Sequence, residues 1–142
     1  MRFQLINPGD PEQVFITVKN TSAAATAVGD WCVYDYTTEA DGVSVIVPTA
    51  VLAACPAGVW TEVVADDGYG EVQCWGHCTF ADLAAVATAG VAGDTLVLST
   101  LATGYCTTAA DFTTEACVGI LGEAVATGTV ANTDVTVHIR CL

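Results

Sequence analysis

Apolar and polar residues alternate along several short stretches, with the two-residue period of strands that bury one face. Near the C-terminus Val135, Val137, Ile139 and Cys141 fall on one side, and Thr136, His138 and Arg140 on the other. Residues 14–19 repeat the pattern, with Val14, Ile16 and Val18 set against Phe15, Thr17 and Lys19. Further strands are predicted over 28–36 (a turn feeding an aromatic strand), 42–47 (ended by Pro48), 59–64, 71–78, 116–126 and 134–141. A hairpin is predicted between 95–101 and 105–108, around Ala102-Thr103-Gly104, and Asp67-Gly68 is a strong turn signal. Residues 49–58 read as a crossing loop or one helical turn. FADLAAVATAG, residues 80–90, reads as the one helix, with Asp82 as its cap, or else as strand and loop. The expected fold is all-β: a compact antiparallel β-barrel or sandwich with at most one short helix. Residues 1–13 hold Pro8, Gly9 and Pro11 and show no period, so they read as an extended N-terminal arm. Residues 14–142 then form a single β domain.

One internal echo stands out. AVGDWCVYD at 27–35 and VAGDTLVLS at 91–99 are both Gly-Asp turns feeding an alternating strand. They mark either two similar halves of a barrel or a coincidence of short motifs.

Charge narrows the partners. The 142 residues carry 16 acidic side chains against Arg2, Lys19 and Arg140, a formal net charge of −13. Nucleic-acid binding by counterion release needs clustered Lys and Arg, so direct nucleic-acid binding is not expected. An anionic membrane surface repels such a chain, and no apolar run reaches the roughly 18 residues of a spanning helix. The opening MRFQLINPGDPEQ lacks the apolar core of a secretory signal. Seven Cys in a chain read as non-exported are expected to be free, small buried hydrophobes.

Candidate chemistry is sparse. Cys74, His77 and Cys78 in CWGHC are the one metal-ligand grouping, but in an extended strand residues four apart lie about 13 Å apart. His77 would also face away from both thiols, so the trio converges on zinc only if Gly76 bends the strand sharply. Asp66, Asp67 and Glu71 lack the ligand spacing of a calcium loop and read as solvated carboxylates on a turn. A Cys–His nucleophile pair would have to draw on Cys78 or Cys141 with His138. The residues support no catalytic assignment, no resident metal and no cofactor. Trp31, Trp60 and Trp75 serve as core or contact residues. Phe3, Leu5 and Ile6, beside Arg2, suit an arm that docks on a neighbour. His138 and Arg140 share the polar face of the last strand. The expected partner interface is therefore Arg2, Phe3, Leu5, Ile6, Trp75, His138 and Arg140.

GEVQCWGHC, AGDTLVLS, ACVGILGEAVATGT and VTVHIRC, in that order over residues 68–142, resemble the small head decoration (cement) proteins of tailed bacteriophages. The resemblance implies an all-β, non-enzymatic, homotrimeric structural protein. It would bind the outer surface of the phage head and stabilise the lattice of the major capsid protein, after synthesis in the bacterial cytoplasm. The Cys content is high for that group. The alternatives are another virion β protein (tail tube, head completion or fibre-associated), a cytosolic metal-binding β-barrel, or a Cys-dependent enzyme with one thiol of depressed pKa.

Overall fold

The computed structural model describes residues 12–37, 39, 41–48, 55–84, 89–98, 106–108, 117–127 and 132–141. The strands within them are β1 (Gln13–Asn20), β2 (Trp31–Tyr34), β3 (Ser44–Ile46), β4 (Pro56–Trp60), β5 (Tyr69–Leu83), β6 (Thr95–Leu98), β7 (Cys106–Thr108), β8 (Cys117–Leu121) and β9 (Asn132–Arg140). All nine join one sheet. The all-β expectation holds. The sheet is mixed: β1 runs parallel to β3, and β5 parallel to β7, while the other pairings are antiparallel.

The sheet closes twice. The order β1-β3-β2-β4-β5 returns from β5 to β1, and the order β5-β7-β6-β8-β9 returns from β9 to β5. Two five-stranded rings thus share β5, which is why that strand runs to 15 residues. The second ring repeats the first strand for strand, parallel pair included.

The repetition extends to single bonds. Ala27 N donates to Asp30 Oδ2 at 2.8 Å, and Val91 N to Asp94 Oδ2 at 2.9 Å. Gly29 N donates to Trp60 O, as Gly93 N does to Leu121 O. Trp60 N donates to Asp30 O, as Leu121 N does to Asp94 O. The Glu71 amide donates to Glu62 Oε1, and the Thr136 amide to Glu123 Oε1. β2 against β4 slips between Cys32 and Val33, and β6 against β8 slips between Leu96 and Val97. The echoed Gly-Asp motif therefore marks corresponding turns of two rings.

Each ring has an interior, and the first lends residues to the second. Val18, Cys32, Val45, Ala57, Trp60, Val64 and Val72 fill the first ring. Leu96, Cys106, Val118, Leu121, Val135, Val137 and Ile139 belong to a larger core that also takes in Trp31, Val33 and Val59. β2 and β4 are thus buried on both faces, which is why WCVY and AGVW read as continuous apolar runs. Each such buried side chain contributes roughly 1.5–3 kcal/mol relative to exposure.

Three expectations need correction. Phe80, Ala81, Asp82 and Leu83 continue β5 instead of opening a helix. Ala81 and Leu83 pair with Val135 and Asn132 and are fully buried. That burial outweighs a helix propensity of a few tenths of a kcal/mol per residue. Residues 85–88 lie outside the described residues, and Gly90 bridges Val125. The strand expected at 59–64 is Pro56–Trp60, because Val64 leaves the ladder to accept from and donate to Thr26. Pro56–Gly58 accordingly belong to a strand and not to the crossing loop. The expected hairpin pairs as β6 with β7, Leu98 opposite Cys106, and its tip falls outside the described residues.

Candidate interaction face

β5 and β9 pair along most of their length, and the pairing sorts the candidate residues onto two faces. Trp75 lies opposite Arg140, Gly76 opposite Ile139, His77 opposite His138, and Cys78 opposite Val137. Cys74, Cys78, Val137 and Ile139 are buried, while Trp75, His77 and His138 are half-buried and Arg140 is exposed. Trp75, His77, His138 and Arg140 therefore share the outer face of one strand pair. The Trp75 and His138 rings meet edge to face with centroids 5.8 Å apart, a favoured aromatic geometry. Ile120 of β8 lies opposite His138 and extends the face.

Gly76 makes the arrangement possible. Its φ of 96° lies in the left-handed region, and a Cβ there would stand 1.8 Å from the Glu12 carbonyl oxygen. The start of β1 therefore crosses directly over β5, with Gln13 opposite Gly76. Gln13 Nε2 donates to the His77 carbonyl at 2.7 Å. The described chain begins with Glu12, whose carbonyl lies over Gly76, between Trp75 and His77. Arg2, Phe3, Leu5 and Ile6 lie outside the described residues.

The metal trio does not assemble. Gly76 bends the backbone, yet β5 continues through it, and Cys74 and Cys78 turn inward while His77 turns outward. Among the described residues no three His, Cys, Asp or Glu side chains converge as metal ligands. Asp66 and Asp67 are engaged locally: Ala23 N donates to Asp66 Oδ1, and Lys19 pairs with Asp67 at 2.7 Å.

The thiols sit in apolar surroundings. Burial pushes Cys78 up to about 11 and Cys141 up to about 12. Cys32, Cys74 and Cys106 are raised by the same cause. These five are therefore thiols rather than thiolate nucleophiles at neutral pH. Cys78 and His138 also lie on opposite faces, so they form no nucleophile–base pair. All seven Cys are free, and Cys117 is exposed.

Sequence reasoning selected Trp75, His138 and Arg140 but set His77 aside as a metal candidate. The antiparallel register, which places it directly against His138, is the signal that was missing. A second feature it did not single out is a shallow acidic recess of about 250 Å³ lined by Thr21, Ala23, Asp35, Glu39, Asp66 and Asp67. No family model matches this chain, and no characterised protein matches it in sequence.

Proposed function

We propose that this chain is a virion decoration protein. It binds the outer surface of a phage head and stabilises the lattice of the major capsid protein, acting as a homotrimer without catalysis. The observation that supports this reading best is the shared location of the three expected contacts among the described residues. Trp75, His138 and Arg140 form one outward face, and Gln13, at the start of β1, pairs with Gly76 beside it. An aromatic and arginine pair on one face is the composition of an interface centre. Closed rings suit the role, because each described strand has a neighbour on both sides and none ends the sheet as an edge open to the wrong partner. The net charge of −13 suits a solvent-facing shell rather than contact with packaged DNA.

The test is co-sedimentation with heads assembled from the cognate major capsid protein. Trp75→Ala is expected to cost about 2 kcal/mol of binding, the loss typical of a central aromatic anchor. Deleting residues 1–8 is expected to weaken attachment while the unfolding midpoint stays unchanged. Wild-type protein that fails to pellet with such heads, but elongates into tubes or fibres, would move the assignment to a tail or fibre component.

A further inference from the structure

His77 and His138 are the only histidines in the chain, and the fold sets them directly opposite each other. The phase of the ladder decides how close they come. Cys141 N donates to Cys74 O at 3.0 Å, so the hydrogen-bonded pairs are 74–141, 76–139 and 78–137. The alternate pairs, Trp75–Arg140 and His77–His138, are of the non-hydrogen-bonded kind, which brings Cα atoms to about 4.5 Å and side chains closest together. Both imidazoles stand on the outer face and are half-buried. Among the described residues no hydrogen bond ties up either ring.

We propose that His77 and His138 form a solvent-open, two-imidazole site for a divalent transition-metal ion such as nickel, copper or zinc. Imidazole nitrogens suit these ions, and metal–nitrogen bonds near 2.0–2.1 Å require the two nitrogens to approach to about 3 Å. Cross-strand Cβ atoms about 4.5–5.5 Å apart allow that by side-chain rotation alone. Water fills the remaining positions, so the site binds more weakly than a centre with three or four protein ligands. The acidic field of the chain offsets the neighbouring Arg140 charge and draws cations in. The inference stands on the strand register and is independent of the decoration role.

The experiment is a nickel titration of the full chain carrying Cys117→Ser, which removes the exposed thiol as a competing ligand. The expected result is saturable quenching of Trp75 emission, reversed by a chelator, with paramagnetic broadening centred on the two imidazoles. His77→Gln and His138→Gln are each expected to weaken binding by more than about tenfold, since losing even an outer-shell partner costs that much. The proposal fails if millimolar nickel gives no saturable response. It fails equally if either variant binds like the parent, or if binding disappears with Cys117→Ser alone. Broadening that maps to the acidic recess in the parent protein would overturn it without any histidine variant.

Discussion

The Asp82 carboxyl group stands where the two rings meet, and only 6% of the residue is exposed. Its amide donates to Gly29 O, while its carbonyl accepts from Trp31 Nε1 at 3.1 Å and from Cys106 Sγ at 3.4 Å. Burial raises its pKa to about 6, the Asp30 and Asp134 carboxylates push the same way, and the Asp134 amide opposes them. Asp30 is itself raised, chiefly by burial. A carboxyl raised on folding binds protons more tightly in the native state than in the unfolded chain. Its stabilising contribution is fully present below about pH 3.8 and disappears as pH rises through about 6. Asp82→Asn keeps an oxygen to accept from the Asp134 amide and removes the charge. The expected outcome is a higher denaturation midpoint at pH 7 and a flatter stability profile between pH 4 and 6. An unchanged profile in the variant would show that Asp82 is solvated in the native state.

At the scale of elements, the paired Gly-Asp turns lend themselves to direct comparison. Asp94 Oδ2 holds the Val91 amide while its own amide donates back to Val91 O at 3.0 Å, a local turn of the kind Asp favours. Asp94→Ala is expected to cost about 1 kcal/mol, the usual net worth of one such hydrogen bond. Urea denaturation reads this directly, and a loss near zero would mean that the β6 ladder alone holds the turn. These turns were legible in the sequence, as were β1, β9 and the β6–β7 hairpin, because each either alternates cleanly or is bounded by turn residues. β5 was not legible as one strand. Its ladder with β9 slips between Cys78 and Ala81 and again between Ala81 and Leu83, and each slip breaks the period that a sequence reading follows. Residues 80–83, followed in sequence by an Ala-rich stretch, then read as the start of a helix. The outer face was half legible: the sequence reading named Trp75, His138 and Arg140, but only strand pairing could set Trp75 against Arg140 and add His77.

At the scale of the molecule, the sequence held one trace of the duplication, the echo at 27–35 and 91–99. The rest was hidden because corresponding positions keep their backbone bonds and change their side chains. Trp31 corresponds to Thr95, and Trp60 to Leu121, through matching bonds to matching turns. That divergence has an energetic side. Trp31 and Val59 complete the core of the second ring, whereas Thr95 and Ile120 remain partly exposed, so the second ring depends on the first for burial. The two rings also share β5, which cannot lose its pairing with β1 and β4 without disturbing the segment that pairs with β9. The whole chain is therefore expected to unfold in one cooperative transition. Cys32 lies inside the first ring and Cys106 in the larger core, both at 0% exposure. Pulsed thiol labelling along a urea gradient, resolved for each cysteine by mass spectrometry, should give Cys32 and Cys106 the same midpoint. Two separated midpoints would show that the rings fold independently and that β5 frays at Gly76. In that case Trp31→Ala should lower only the Cys106 midpoint, whereas in a cooperative molecule it lowers both together.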